Sequence, residues 1–110
     1  DKMAYYRASG QFGEEAARTE YLNQGYEVWN GPIAVIAGGG LRYPDLAIRA
    51  PGSDIWEFVE VKTGASPLVK RQIIRDRVIQ RTGFFGISGP LLREQPPTNV
   101  RLYRVKFQGN

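Results

Sequence analysis

The spacing of apolar residues along the chain predicts two helices. From Ser9 to Gln24 apolar side chains recur at helical spacing, and Gly25 follows where a helix commonly ends. A second helix is predicted from Leu68 to Arg81, after a Ser66-Pro67 pair that suits a helix start. We expect its buried stripe to consist of Val69, Ile73, Ile74 and Val78.

Strand-like segments occupy most of the remaining chain. Gly38-Gly39-Gly40 and residues 50–54 predict sharp turns between them, and residues 88–99 are expected to form a proline-rich loop. The segment from Ile55 to Thr63 is rich in Trp, Phe and Val, which predicts a central strand covered on both faces. The predicted strands are Tyr26–Asn30, Ile33–Ile36, Arg42–Arg49, Ile55–Thr63, Phe84–Ile87 and Val100–Phe107.

The length of the chain sets its domain organisation. A sequence of 110 residues is long enough for one domain with one hydrophobic core. We expect residues 1–8 to form a flexible arm beside that core. No apolar run reaches the length of a bilayer span, so we expect a soluble domain.

The amino-acid composition excludes several classes of protein. The sequence contains no Cys and no His, which excludes zinc fingers, Ser-His-Asp hydrolases, Cys-His proteases and histidine-dependent nucleases. Catalysis must then use carboxylates, Lys, Arg, Tyr or hydroxyl groups. Carboxylates prefer hard cations such as Mg²⁺ or Mn²⁺, so a metal site in this chain would be an oxygen site.

The net charge of the chain is mildly basic. Lys and Arg number 15 against 11 Asp and Glu, and most of the cations are Arg. This surplus favours a phosphate-bearing partner such as nucleic acid. Ordinary solubility explains the same surplus, so charge alone leaves both interpretations open.

Three charged side chains fall where a small domain normally buries apolar ones. Asp45 follows Pro44, and Glu60-Val61-Lys62 closes the predicted central strand. Because side chains alternate between the faces of a strand, Glu60 and Lys62 point the same way. Two carboxylates in one pocket need a cation, and a single Lys cannot neutralise both. The pattern predicts a divalent metal site; the alternative is a solvated Glu-x-Lys pair on a surface hairpin.

Pro44-Asp45 and Glu60-Val61-Lys62 resemble the motif of the PD-(D/E)xK nuclease superfamily. The resemblance implies a single nuclease domain over residues 1–110 with a restriction-endonuclease-like α/β core. Such a core has a mixed central sheet of about four or five strands flanked by two main helices, in the order α-β-β-β-α-β. The resemblance also implies Mg²⁺ or Mn²⁺, bound by Asp45, Glu60 and the carbonyl of Val61. Lys62 is then expected to orient the attacking water or to stabilise the transition state.

The same resemblance implies roles for two further residues, Glu14 and Gln72. Gly13-Glu14-Glu15 looks like part of the superfamily's first helix, in which a glutamate side chain lies next to the metal site. We assign this role to Glu14, which shares a helical face with the residues expected to contact the sheet. We expect Glu15 only to interact favourably with the positive end of the helix dipole. The same explanation remains open for Glu14. Gln72 is expected to approach the reacting phosphate, or else to be an ordinary exposed amide.

The second helix offers cations to a phosphate backbone. It carries one Lys and four Arg but a single acid, Asp76. Its exposed face is therefore expected to lie along the phosphate backbone of a nucleic acid. A soluble amphipathic helix without a partner has the same composition. The residues proposed to contact nucleic acid are Thr63, Ser66, Lys70, Arg71 and Arg75.

The sequence from Glu60 to Gly64, followed by a helix that bears Gln72, resembles the nuclease domains of bacterial polymorphic and contact-dependent toxins. That resemblance implies a monomeric domain of a secreted effector, active on DNA or on RNA, tRNA included, in the cytoplasm of a target cell. It also implies an acidic immunity protein as partner. The alternatives are a cytoplasmic nuclease similar to Holliday-junction resolvases or repair nucleases, and a nucleic-acid-binding module without catalysis.

Overall fold

The computed structural model describes residues 2–64, 67–90 and 92–105, with residues 2–10 as backbone only. It confirms an α/β domain with two helices. Neither of these two helices has the apolar length that a bilayer span requires. In chain order the elements are α1 Lys2–Asn23, β1 Glu27–Val28, β2 Ala34–Ala37, β3 Gly40–Arg42, β4 Leu46–Arg49, β5 Trp56–Thr63, α2 Lys70–Thr82, β6 Phe84–Ser88, β7 Glu94–Gln95 and β8 Val100–Val105.

The first sheet is mixed and has the strand order β1-β4-β5-β8. β1, β4 and β5 pair antiparallel, and β8 pairs parallel to β5. Along the chain this sheet and the helices follow as α1, β1, β4, β5, α2 and β8, with β2 and β3 between β1 and β4 and with β6 and β7 between α2 and β8. The four strands of this sheet agree with the predicted size of the central sheet.

A second, antiparallel sheet was not predicted. Its strand order is β3-β2-β6-β7, and its strands come from segments on both sides of β4, β5 and α2. The predicted strand Arg42–Arg49 is split between the two sheets, because Arg42 ends β3 and Leu46 begins β4. Pro44 lies in this break, where its missing N–H cannot join a ladder. The hairpin between β2 and β3 turns at Gly38 and Gly39, whose φ angles are 60° and 74°.

The first sheet is covered on both faces. Leu46, Ile48 and Val59 pack with Ala17 and Tyr21 of α1 on one face. On the other face, the core comprises residues from both sheets and from α2, namely Ile33, Val35, Ala37, Ala47, Phe58, Ile79 and Phe84. The prediction that β5 is a central strand with cover on both sides is therefore confirmed.

Both helices differ from their predicted limits. α1 begins at Lys2 and includes the segment that we expected to form an arm, since residues 2–8 contain no helix breaker. α2 begins at Lys70, three residues after Pro67, and Ser66 lies outside the described residues. The predicted stripe of α2 is wrong in two positions, because Val69 and Ile74 are 56% and 51% exposed. Asp76 and Ile79 are the buried residues of this helix, so its inner face includes an acid.

Candidate active site

The site lies where β4 and β5 separate. Their pairing stops at Leu46, opposite Val59, and Asp45 precedes Leu46 in the chain. The Oδ2 atom of Asp45 accepts a hydrogen bond from the backbone N–H of Val61 at 2.8 Å, in place of a strand partner. Since the N–H and C=O of a strand residue face the same side, the carbonyl of Val61 is also directed towards β4's end and Asp45.

Glu60 is a buried carboxylate with several donors around it. It is 4% exposed. Its Oε2 accepts from Nη2 of Arg42 at 2.7 Å, and its Oε1 accepts from Nε2 of Gln72 at 2.9 Å. The Nζ atom of Lys62 lies 3.4 Å from the same Oε1. Glu60 and Lys62 thus point the same way, as the alternation predicts, and Glu60 is not part of a solvated surface pair.

Carboxylates crowd this end of β5. Burial is the main cause that raises the pKa of Asp45 to about 6, and the carboxylates of Glu60 and Glu14 act in the same direction. The Val61 N–H and Arg42 oppose that shift. Burial likewise raises the pKa of Glu14; Arg18 opposes this shift, whereas Glu60 and Glu15 add to it. Three acidic side chains, from α1, from β5 and from the segment between β3 and β4, therefore act on one another within a single site.

Glu14 reaches the site because α1 passes very close to β5. A Cβ atom at Gly13 would lie 2.8 Å from Cγ2 of Thr63 and 3.2 Å from Cγ1 of Val61, so only glycine fits here without a shift. Glu14 is half-buried while Glu15 is exposed, as the choice between them predicts. α1 begins at Lys2, so both acids lie far beyond its first turn. The helix dipole therefore explains neither of them.

Gln72 is held at both ends of its side-chain amide. Its Oε1 accepts from the backbone N–H of Val69 at 3.1 Å, at the start of α2. Its Nε2 donates to Glu60 at 2.9 Å. The first bond fixes which end of the amide faces the helix, so the NH₂ group is directed to the site. Gln72 is thus part of the cluster and not an ordinary exposed amide.

Two members of the cluster were missed in the sequence. Arg42 and Asp76 are 6% and 9% exposed, and Nε of Arg42 donates to Oδ1 of Asp76 at 3.0 Å. Burial raises the pKa of Asp76, and the hydrogen bond from Arg42 opposes that shift. One signal was present: Asp76 follows Gln72 by one helical turn and precedes Ile79 by another, so an acid on that face needs a buried cation.

The residues proposed to contact nucleic acid have different surroundings. Lys70 and Arg71 are exposed in the first turn of α2, beside Gln72. Thr63 packs with its methyl group under Gly13, on the α1 side of β5. The guanidinium of Arg75 donates to the carbonyl of Leu41 and lies against the β2–β3 hairpin. Ser66 lies outside the described residues.

The chemistry of the donor set fits a hard divalent cation. Asp45, Glu60 and the Val61 carbonyl offer oxygen atoms, and mutual repulsion contributes to the raised pKa of Asp45. A cation would remove that repulsion. Within residues 2–64, 67–90 and 92–105, no group of three or more acidic side chains has a geometry that could hold a metal ion by itself. The fit therefore rests on two carboxylates together with the backbone carbonyl.

Searches of protein-family models, curated proteins and solved structures found no match to this chain.

Proposed function

We propose that this chain is a Mg²⁺- or Mn²⁺-dependent endonuclease of the PD-(D/E)xK superfamily, with a restriction-endonuclease-like core. The observation that carries the proposal is the convergence of Asp45, Glu60 and Lys62 where β4 and β5 separate. Glu14 and Gln72 approach the same point from α1 and α2. The α-β-β-β-α-β order of the elements that build the first sheet supports the same core.

In this proposal each residue of the cluster has a separate task. Asp45, Glu60 and the Val61 carbonyl hold the cation. A bound Mg²⁺ or Mn²⁺ supplies Lewis-acid chemistry, because it acidifies water and neutralises charge on a phosphodiester. Lys62 is 20% exposed at its side chain, so its ammonium group can meet a water or a phosphate oxygen while it stays beside Glu60. Gln72 keeps Oε1 of Glu60 in place.

The start of α2 is the surface that we propose for the nucleic-acid backbone. Lys70 and Arg71 are exposed there, and a helix N-terminus favours phosphate. The only acid of this helix, Asp76, faces inward and is paired with Arg42. The exposed face of α2 is therefore more basic than its sequence composition indicates.

We further propose that the domain is the toxin module of a secreted bacterial effector, acting on DNA or RNA inside a target cell. The resemblance of residues 60–72 to such domains and the basic face of α2 support this setting. An immunity protein with an acidic surface would fit this basic face.

The proposal is tested by incubating the protein with plasmid DNA, total RNA and tRNA, in Mg²⁺, in Mn²⁺ and in EDTA. We expect cleavage of one substrate class with metal and none with EDTA. Asp45→Asn and Lys62→Met should lower the rate at least about 100-fold, because the first removes a ligand of the cation and the second removes the ammonium group that meets the water or the phosphate. Glu15→Gln, on the exposed side of α1, is the matched control and should cleave like wild type.

Two outcomes would contradict parts of the proposal. Binding of nucleic acid without cleavage in every metal-containing tube would favour a binding module. Preferential cleavage of four-way junctions over linear duplex, by a protein of dimeric mass in light scattering, would favour a resolvase over a toxin domain.

A further inference from the structure

Arg42 and Asp76 form a buried charged pair next to Glu60, and neither has a role in the proposed reaction. We infer that Arg42, anchored by Asp76, is a positioning residue that fixes the Glu60 carboxylate for the cation. This inference rests on the proposed function, since it concerns the same metal site. It concerns residues that touch neither the cation nor the substrate.

The geometry fixes the guanidinium of Arg42 on three sides. Nε donates to Oδ1 of Asp76 at 3.0 Å, and Nη2 donates to Oε2 of Glu60 at 2.7 Å. Nη1 donates to the backbone carbonyl of Tyr43 at 3.4 Å. A planar guanidinium with its N–H groups engaged in this way has one orientation. It therefore holds Oε2 of Glu60 in one place, while Gln72 and Lys62 lie at Oε1.

The charges explain why Asp76 accompanies Arg42. One arginine paired with Glu60 alone would neutralise that carboxylate and compete with a metal ion for it. Here Arg42 is shared between two carboxylates, Glu60 and Asp76, so it neutralises Glu60 only in part. Lys62 at Oε1 balances the charge that remains, and the neighbouring Asp45 adds a further carboxylate to the site. Glu60 is thus oriented by Arg42 and still attractive to a cation.

α2 is the element that carries this arrangement. Gln72 and Asp76 lie one turn apart on its inner face, and the first contacts Glu60 directly while the second acts through Arg42. Arg42 itself comes from β3 of the second sheet, where it pairs in register with Val35. The second sheet and α2 therefore act together on a carboxylate of the first sheet.

The experiment measures Mn²⁺ binding to the full chain by titration calorimetry, separately from cleavage. Arg42→Lys keeps the charge but cannot span both carboxylates, and Asp76→Asn keeps an oxygen acceptor but leaves Arg42 with Glu60 alone. We expect each variant to bind Mn²⁺ about 10- to 100-fold more weakly than wild type, as is usual when an outer partner of a metal ligand is lost.

Arg101→Lys is the control, because Arg101 makes a two-pronged pair with Glu57 at 3.0 Å and 3.0 Å on the same sheet. It should lower thermal stability and leave Mn²⁺ affinity unchanged. If Arg42→Lys and Asp76→Asn behave like this control, the Arg42–Asp76 pair is only structural and the inference fails.

The result separates this inference from the proposed function. Wild-type protein that neither binds Mn²⁺ nor cleaves nucleic acid overturns both. Wild-type protein that does both, with unchanged affinity in the two variants, overturns only the role of Arg42. If Arg42→Lys does not fold, Asp76→Asn decides the question, since its side chain has the same shape as the one it replaces.

Discussion

The effect of burial and of the neighbouring acids is clearest in the pKa of Asp45. Its pKa is raised from 3.8 to about 6, so the folded protein binds a proton more tightly than the unfolded chain does. The stability that this proton contributes is complete below pH 3.8 and is lost as the pH rises through about 6. Above that pH an ionised Asp45 faces Glu60 and Glu14 with no proton to reduce the repulsion.

We therefore predict that Asp45→Asn leaves metal-free protein at least as stable as wild type at pH 8. The amide oxygen of Asn can still accept from Val61 N–H, and the repulsion with Glu60 and Glu14 disappears. At pH 4 this advantage should shrink, because wild-type Asp45 is then largely protonated. Thermal unfolding at both pH values in EDTA measures the difference.

The exposed Asp54 provides the control for this measurement. Asp54→Asn should differ from wild type by little, and by the same amount, at pH 4 and pH 8. An Asp45→Asn variant that unfolds, or whose difference from wild type does not change with pH, would show that Asp45 has a structural role.

At the scale of elements, the approach of α1 to β5 depends on one glycine. Alanine in place of glycine inside a helix normally adds roughly 0.5–1 kcal/mol of stability. At Gly13 the added Cβ would lie 2.8 Å from Thr63 and 3.2 Å from Val61, both in β5. The two effects oppose each other, and such overpacking typically costs about 1–3 kcal/mol.

We predict that Gly13→Ala lowers stability despite its better helix propensity, and that it lowers cleavage further because Glu14 moves away from Asp45. Urea unfolding and the cleavage rate are measured on the same preparation. Gln11→Ala, at an exposed position of the same helix, is the control and should change neither. A Gly13→Ala protein more stable than wild type would mean that α1 has room above β5.

The sequence predicted those parts of the site that depend on local periodicity. Alternation along β5 placed Glu60 and Lys62 together, and the helical face of α1 selected Glu14 over Glu15. Local periodicity could not predict the role of Arg42, because its two carboxylate partners lie 18 and 34 positions away in the chain. A contact of that kind depends on how sheets and helices pack, which no local pattern records.

The second sheet escaped prediction for a related reason. Its strands are two to five residues long, and β7 has only Glu94 and Gln95. Apolar residues on its outer face, such as Ile36, Leu41 and Phe85, are 40%, 44% and 51% exposed, so hydrophobicity does not mark which side is buried. The pairing of β3 and β6 with β2, and of β7 with β6, assigns these strands to one sheet, and no local sequence pattern does so.

For the whole molecule, β5 is the strand on which both cores and the site depend. Val59 belongs to the core beneath α1, and Phe58 belongs to the core shared with α2 and the second sheet. Glu60 follows these two residues directly. Because packed cores hold side chains in single rotamers, the position of Glu60 depends on both layers.

Phe84 and Phe85 test this dependence, since they are adjacent in β6 and face opposite sides. Phe84 is 5% exposed, and its ring lies 4.8 Å from that of Phe58, edge to face. Phe85 is 51% exposed on the outer face of the second sheet. We predict that Phe84→Ala costs about 3–5 kcal/mol and Phe85→Ala much less, as measured by urea unfolding.

The two variants should also differ in Mn²⁺ affinity while folded. A cavity beside Phe58 loosens the face of β5 that carries Glu60 two residues later, whereas the loss of the Phe85 ring leaves that face untouched. Phe84→Ala is therefore expected to bind Mn²⁺ more weakly, and Phe85→Ala to bind it like wild type. Equal affinities in the two folded variants would mean that the second sheet stabilises the domain without holding the site in place.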